Sequence, residues 1–434
     1  MTRADVILWG SRIGAALWDD TREVGAFEYV PEFTRSGIEP APLTMPLQPG
    51  VFQFPDLPRG TFRGLPGLLA DSLPDKFGNL LINRWLAEQG REPGSFNPVE
   101  RLCYTGRRGM GALEFEPAAR AGSDGTDRAL DVSGLVGLAD RIVKDRLELK
   151  GRLTGDGDHL VLEDILRVGT SAGGARAKAV LAWNPATGEF RSGQLDLAAG
   201  FEPWLLKFDG VSENADKEIA DPLGYGRLEY ACHLLAREAG VTMADCRLHE
   251  EGGRAHFMTR RFDRTPTGGR LHMQTLSAMR HFDFNQSRAY SYEQAIETIR
   301  MLGLDHQARK DMVRRALLNI VIRNQDDHVK NIAFLMDKAG RWSLAPAYDV
   351  VHAYNPSGPW TSQHQMSLAS KTDGFTLEDL IRFGRFADIK PARLHAMLDE
   401  ILAAAGNWSK HVEAAGVPDT LARQARSSFR TDWT

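Results

Sequence analysis

The sequence predicts an α+β fold in which strand-rich and helix-rich parts of the chain are largely separate. Residues 1–60 carry short apolar runs separated by Gly, Pro and Asp, which is typical of strands joined by turns. After about residue 285 the apolar residues mostly follow helical spacing. A length of 434 residues allows two or three domains with sizeable cores.

The composition is that of an ordinary globular protein, with 42% hydrophobic and 25% charged residues. The net charge of −4 gives no overall basic bias, so binding of nucleic acid through a dominant basic face is not suggested. No apolar run approaches the length of a membrane span, and the N-terminal "DVILWG" is interpreted as a strand, not a signal peptide. The three scattered cysteines favour a reducing cytoplasm and argue against a disulfide framework or a zinc site.

Several elements are predicted in the first third of the chain. Three strands are expected in "ADVILWG", "GAFEYVPEF" and "APLTMPL". Residues 65–90 have a helical pattern, with Gly90 as a C-cap. The apolar stripe of that helix is formed by Leu80, Leu81, Trp85 and Leu86. The polar, Gly-rich residues 121–134 mark a soft domain boundary.

The loop "GTSAGGARAKAV", residues 169–180, precedes the next group of strands. It is not a Walker A motif and it lacks G-x-G-x-x-G. Backbone amides around Gly173 and Gly174 could bind an anion, and Lys178 adds positive charge. A flexible loop without a ligand remains the alternative. Strands are predicted in "AKAVLAWNPATGEF", "PWLLKFD" and "AHFMTRRFDR", and a helix in "YGRLEYACHLLAREAG".

The strongest chemical signal lies in residues 317–351. A helix over Asp311 to Arg323 is followed by a polar segment, and "IAFLM" and "WSL" suit two short strands joined by a turn. Protein kinases place a catalytic Asp and a metal-binding Asn in the spacing Asp-x-x-x-x-Asn, with a second Asp after a short hairpin. Asp326, Asn331 and Asp349 reproduce this order. The alternative is a turn rich in Asp and Asn for conformational reasons alone.

Two upstream residues test this interpretation. Lys207 lies in the apolar strand "WLLKFD", where a kinase has the lysine that contacts nucleotide phosphates. Glu229 lies near the start of the following helix, where a kinase has the glutamate that holds that lysine. The alternatives are an edge-strand lysine facing water and a glutamate that merely stabilises the helix dipole.

These motifs together resemble the HipA family of bacterial toxin kinases over most of the chain. The matching segments, in order, are "GLLADSLPDKFGNLLINRWLAEQG" with "GMGALEF", "SAGGARAK", "LEYACHLLAREAG", "RRFDR", and "NQDDHVKN" with "LAPAYD". The resemblance implies a protein-kinase-like two-lobed fold with ATP and Mg²⁺ as cofactors. It implies an N-terminal β-rich subdomain over 1–125, a kinase N-lobe over 126–265 and a mostly helical C-lobe over 266–434.

The resemblance also implies a role for each matching residue. Asp326 would be the catalytic base in a loop completed by His328 and Lys330, and Asn331 and Asp349 would bind Mg²⁺. Residues of the ATP site would be Gly173, Gly174, Ala175, Lys178, Lys207, Glu229, Arg260, Phe262 and Tyr348. Ser171, with Thr170 as a neighbouring candidate, would be the autophosphorylation site that switches the kinase off. Arg176 and Arg260 stand where the family usually has Gln and Glu.

The function implied by the resemblance is a serine/threonine protein kinase acting as the toxin of a type II toxin–antitoxin system. Its partners would be a helix-turn-helix, HipB-like antitoxin and a translation component such as an aminoacyl-tRNA synthetase. Operator DNA would be contacted mainly through the antitoxin. Two alternatives are a small-molecule kinase on the same fold and a catalytically silent corepressor subunit. The presence of Lys207, Asp326, Asn331 and Asp349 argues against the silent subunit.

Overall fold

The structure is a computed structural model that describes residues 2–117, 130–144, 176–193, 197–211 and 223–433. Within these residues the fold is mixed, with four β-sheets and thirteen α-helices. The predicted boundary at 121–134 falls mostly outside the described residues. None of the described helices is both long enough and apolar enough to cross a membrane.

The first sheet is antiparallel and has the strand order β4-β3-β2-β1-β5. Its strands are β1 (Arg3–Leu8), β2 (Ser11–Asp19), β3 (Val24–Tyr29), β4 (Val51–Gln53) and β5 (Leu113–Glu116). Strand β5 forms one edge of this sheet and pairs with β1, with Val6 opposite Phe115. The prediction of a strand in "APLTMPL" is wrong, because residues 41–47 form turns. Two prolines in that segment cannot donate ladder hydrogen bonds, so its apolar side chains fill the core without joining the sheet.

The helices of this region are α1 (Arg59–Phe62), α2 (Gly67–Ala70), α3 (Lys76–Glu88) and α4 (Pro98–Thr105). The single helix predicted over 65–90 is therefore two helices. Pro74 interrupts the helical hydrogen bonds, and Asp75 then caps α3 by accepting from the Gly78 N–H at 2.7 Å. Gly90 has a φ of 70° just beyond α3, in agreement with the predicted helix end.

The second sheet has the strand order β7-β6-β8-β10-β9. Its strands are β6 (Lys178–Trp183), β7 (Phe190–Ser192), β8 (Glu202–Lys207), β9 (Cys246–Glu251) and β10 (Arg254–Arg260). Helix α5 (Val132–Lys144) shares an apolar core with this sheet, and α6 (Tyr225–Glu238) packs against β9 and β10. Strand β8 lies in the middle of the sheet, and its Lys207 pairs in register with Lys178 of β6.

The remaining residues form two small sheets and most of the helices. The sheets are β11 (His272–Thr275) with β13 (Ala333–Met336) and β14 (Trp342–Leu344), and the parallel pair β12 (Tyr290–Ser291) and β15 (Met366–Ser367). The helices are α7 (Leu276–Arg280), α8 (Tyr292–Met301), α9 (His306–Ile322), α10 (Leu377–Phe386), α11 (Pro391–Gly406), α12 (Trp408–Ala415) and α13 (Asp419–Ser428). The interruption of helical structure is longer than the sequence suggested, since no α-helix lies between Ile322 and Leu377.

Candidate active site

Helix α9 carries the polar loop into the centre of the helical region. Asp305 caps the helix by accepting from the Ala308 N–H at 2.9 Å, so the helix starts five residues before the predicted Asp311. Its apolar residues are fully buried on several sides, which fixes the helix axis. The helix ends where Arg323 takes a φ of 54°, and the chain then turns into the loop.

The loop from Asp326 to Asn331 closes on itself. The side-chain amide of Asn331 donates to the backbone carbonyl of Asp326 at 2.8 Å. The apolar Val329 between them is buried and anchors a short 3-10 helix over Val329–Asn331. Because Nδ2 of Asn331 makes this bond, Oδ1 of Asn331 points the other way and can accept a hydrogen bond or bind a cation.

The Asp326 carboxylate is the more open end of this loop, with its side chain 38% exposed. Its Oδ1 accepts from the indole N–H of Trp360 at 2.6 Å and lies 3.8 Å from Nε2 of His328. Partial burial raises the pKa of Asp326, as do the carboxylates of Asp349 and Asp327, while His328 and the Trp360 N–H act in the opposite direction. The group therefore has both an open face and a raised proton affinity.

The next residue, Asp327, is a structural carboxylate. It is buried and accepts from the Tyr292 hydroxyl at 2.7 Å, from Nδ1 of His364 at 2.8 Å and from the Gln365 backbone N–H at 2.7 Å. Burial alone would raise the pKa of Asp327, but His364 and these hydrogen bonds lower it. Asp327 therefore holds the loop in place, whereas Asp326 stays accessible.

Asp349 reaches the same region from the segment that follows β14. It has a φ of 52°, a backbone conformation in which its carbonyl accepts from Nδ2 of Asn324 at 3.2 Å. Its carboxylate Oδ1 contacts Nζ of Lys207. Burial opposes ionisation, but the ammonium groups of Lys207 and Lys178 lower the pKa of Asp349 to about 2. Asp349 is therefore a carboxylate at neutral pH.

Lys207 also forms an ion pair with Glu229, with 2.5 Å between Nζ and Oε1. Both side chains are buried, at 8% and 2% exposed. Burial lowers the pKa of Lys207, but the carboxylates of Asp349 and Glu229 outweigh it and raise that pKa overall. Because β8 is a central strand and Lys207 is buried, the alternative of an edge lysine facing water is wrong.

Arg176 is a second cation on Glu229. Its Nη1 lies 3.0 Å from Oε2 of Glu229, and its guanidinium lies over the ring of Tyr225 at 4.4 Å from the ring centroid. Arg176 is the residue that departs from the family's usual glutamine. No local pattern in the sequence predicts this pair, because Arg176 and Glu229 are separated by 53 positions of the chain.

Family models cover most of the chain. A model described as the HipA N-terminal domain matches residues 4–116, and one described as the HipA-like C-terminal domain matches residues 170–408, more than half of the chain. The chain belongs to the HipA family. No curated protein sequence matches it significantly.

One solved structure agrees with this family assignment at the level of the fold. HipA of Shewanella oneidensis MR-1, in a complex of a toxin–antitoxin system with HipB and operator DNA, has a TM-score of 0.64 and 16% identity, covering 98% of this chain and 95% of its own. The Helicobacter pylori proinflammatory kinase CtkA covers 49% of this chain and 92% of its own, at a TM-score of 0.29 and 14% identity. The second similarity is too low to support an argument, whereas the first shows that this chain has the HipA fold.

In this HipA-family chain, Lys178 is directed toward the N-terminal region. Its Nζ lies 3.5 Å from Oδ2 of Asp75, the cap of α3, and both side chains are buried. Burial lowers the pKa of Lys178 and raises that of Asp75, and each shift is opposed by the partner's charge. Sequence reasoning missed Asp75 as a residue near the site, although it belongs to the "LPD" segment that contributed to the HipA resemblance.

Tyr348 and Phe262 form an aromatic pair at the edge of the site. Their ring centroids lie 5.5 Å apart, and the Tyr348 hydroxyl donates to the Lys330 carbonyl at 2.6 Å. Arg260 is placed differently: its side chain faces Glu202 and Asp245, and its backbone N–H donates to the Asp245 carbonyl at 2.8 Å. With its N–H already bonded, Arg260 is a poorer candidate for a hinge contact than Phe262.

A buried charge cluster supports the segment that contains Phe262. Asp263 accepts from Arg261 at 3.0 and 2.7 Å, from Arg264 at 2.7 Å and from the backbone N–H of Gly111 at 2.6 Å. Arg261 and Arg264 also donate to the carbonyls of Gly109 and Gly111. The "RRFDR" and "GMGALEF" motifs are therefore in contact, although about 150 positions of the chain separate them and no local pattern predicts it.

The phosphate-loop residues Thr170, Ser171, Gly173, Gly174 and Ala175 lie outside the described residues. Among the residues that are described, no group of three His, Cys, Asp or Glu side chains could hold a metal ion by itself. The oxygen donors of Asn331 and Asp349 nevertheless suit Mg²⁺, which typically takes one or two protein oxygens and completes its shell with phosphates and water. Within the described part of the chain, Oδ2 of Asp349 has no hydrogen-bond partner and is available for this purpose.

Proposed function

We propose that this chain is an ATP- and Mg²⁺-dependent serine/threonine protein kinase with a two-lobed layout, acting as the toxin of a type II toxin–antitoxin system. The observation that carries the proposal is the contact of Lys207 with both Glu229 and Asp349. It brings the second sheet together with the helical region that holds Asp326, as phosphoryl transfer requires of a kinase site.

Each residue has a defined task in this proposal. Glu229 holds Lys207, whose ammonium would contact the nucleotide phosphates. Asn331 and Asp349 would hold Mg²⁺, which when bound neutralises charge on those phosphates. Asp326 would orient the acceptor hydroxyl and accept its proton, because its side chain is open to the surroundings and hydrogen-bonded at only one oxygen among the described residues.

Autophosphorylation at Ser171 is proposed as the way this kinase is switched off. A phosphate on that loop would add about two negative charges beside a site that binds the phosphates of ATP. Arg176, five positions further along the chain, is already paired with Glu229. A phosphorylated loop would compete with Glu229 for this guanidinium.

The proposed partners rest on the family and on its solved relative. The HipA structure from Shewanella oneidensis is a complex with HipB and operator DNA, which supports a HipB-like antitoxin for this chain. The net charge of −4 favours DNA contact mainly through the antitoxin. An aminoacyl-tRNA synthetase as protein substrate and a cytoplasmic location are proposed from the family resemblance.

The test is incubation of the purified chain with Mg²⁺ and γ-labelled ATP, alone and with cell lysate. The wild-type chain should label itself and one lysate protein, while Asp326→Ala should transfer label at least about a hundredfold more slowly and still bind nucleotide. Asp5→Ala is the matched control, because it removes a partly exposed carboxylate of β1 and should leave the rate unchanged.

Other outcomes assign the chain differently. Wild-type rates in Asp326→Ala would contradict the base assignment. ATP binding without any label transfer would favour a small-molecule kinase or a silent corepressor subunit. A resting state already phosphorylated at Ser171 would give the same result, and the intact mass of the starting material identifies it.

A further inference from the structure

Trp360 lies in the irregular segment between β14 and β15. Its indole N–H donates to Oδ1 of Asp326 at 2.6 Å. Among the described residues, this is the one side-chain hydrogen bond that the Asp326 carboxylate accepts. The contact spans 34 positions of the chain, so no spacing pattern in the sequence points to it.

The segment that carries Trp360 is fastened to the loop a second time. Asp327 accepts from Nδ1 of His364 at 2.8 Å and from the backbone N–H of Gln365 at 2.7 Å. The Gln365 side chain in turn donates to the Trp360 carbonyl. The adjacent carboxylates of Asp326 and Asp327 therefore bind this segment at two places, at Trp360 and at His364 with Gln365. Together these contacts fix the position of the indole relative to Asp326.

We infer that Trp360 is a positioning residue for phosphoryl transfer, because its indole N–H fixes Oδ1 of Asp326 and leaves Oδ2 to accept from the acceptor hydroxyl. The last torsion of an Asp side chain has a broad energy minimum, so an unheld carboxylate rotates readily. A general base acts only within hydrogen-bond reach of the proton that it removes. This role rests on the proposed kinase function of Asp326.

The kinetic test compares Trp360→Phe with Trp342→Phe. Phenylalanine at 360 removes the N–H and keeps an apolar ring. Trp342 is the matched control, because its buried indole nitrogen has no hydrogen-bond partner among the described residues. With myelin basic protein as acceptor, Trp360→Phe should lower kcat by about tenfold, part of the roughly hundredfold or greater contribution of a positioned base. The KM for ATP should be unchanged in both variants.

A second comparison separates positioning from a merely structural role. If Trp360 acts through Asp326, Trp360→Phe should leave the residual rate of Asp326→Ala unchanged, since residues acting as a unit are not additive. If Trp360→Phe lowered the residual rate of Asp326→Ala further, the inference would be overturned. Equal losses in kcat and in ATP affinity for Trp360→Phe alone would overturn it too. Wild-type kcat in Trp360→Phe would overturn it as well.

The contact itself can be measured without activity. The nine tryptophans each contribute one indole resonance in a nitrogen-15 NMR spectrum. The resonance that disappears in Trp360→Phe should shift in Asp326→Ala and stay in place in Asp5→Ala. An unshifted resonance would refute the contact. If the resonance shifts in Asp326→Ala but an unphosphorylated wild-type chain transfers no label, the contact is confirmed and the proposed function is rejected, and with it the positioning role of Trp360.

Discussion

Replacing Asp263 by alanine should destabilise the folded chain by about 4 kcal/mol, since breaking a buried ion pair typically costs about 3–5 kcal/mol. The Arg261, Asp263 and Arg264 side chains are 1%, 0% and 8% exposed, so the variant leaves two guanidinium groups buried beside an apolar methyl group. Asp263 accepts four hydrogen bonds, but all four offset the desolvation of the same carboxylate. Their separate contributions to the free energy of unfolding are therefore not additive.

Urea unfolding at pH 7, followed by circular dichroism and by tryptophan fluorescence, measures this loss. Asp5→Ala is the matched control, because Asp5 also lies between two arginines, Arg3 at 2.8 Å and Arg12 at 3.0 Å, but all three side chains are at least 33% exposed. An exposed pair contributes about 0–1 kcal/mol. A loss for Asp263→Ala no larger than that of the control would refute the reasoning.

A second check is how the difference in unfolding free energy between wild type and Asp263→Ala depends on pH. Burial opposes ionisation, but Arg261 and Arg264 hold the pKa of Asp263 well below its ordinary value of 3.8. A carboxyl group with a lowered pKa stabilises the fold fully above its unfolded pKa and loses that contribution as the pH falls through the folded pKa. The difference in unfolding free energy between wild type and Asp263→Ala should therefore stay constant from pH 7 down to about pH 4 and shrink only in stronger acid.

Three further predictions concern the candidate site. Asp349→Ala should eliminate the Mg²⁺-dependent part of ADP binding in calorimetry, because it removes a carboxylate held ionised by Lys207, and an unchanged affinity would refute the metal role. Glu229→Gln should slow label transfer by about a hundredfold, the size expected when a reacting group is misplaced by about 1 Å, and a wild-type rate would show that Asp349 alone positions Lys207. Mass spectrometry after incubation with ATP should find phosphate within residues 169–178, and modification only elsewhere would overturn the assignment to Ser171.

Much of the fold was predictable from local patterns. Apart from "APLTMPL", the segments predicted as strands or helices contain such elements, because the period of apolar residues reflects which side of an element is buried, but several strands, among them β2 and β9, were not predicted. The failures have local causes as well. The turns at 41–47 have an apolar composition but contain prolines, and Pro74 splits a helical pattern whose apolar positions continue on both sides.

The candidate site was likewise predictable from the sequence only in part. By itself, the sequence determined the order of Asp326, Asn331 and Asp349 and the unusual charge of Lys207 in an apolar strand. These signals depend on neighbours in the chain, and the bond from Asn331 to the Asp326 carbonyl is such a local contact.

Only the tertiary structure decided which distant residues meet. Lys207 and Asp349 are 142 positions apart, and Trp360 reaches Asp326 from a segment without regular structure. Arg176 on Glu229 and Lys178 on Asp75 are likewise set by how the sheets and helices pack. The physical reason is that a buried charge needs a partner, but composition and period do not say which of many carboxylates will supply it.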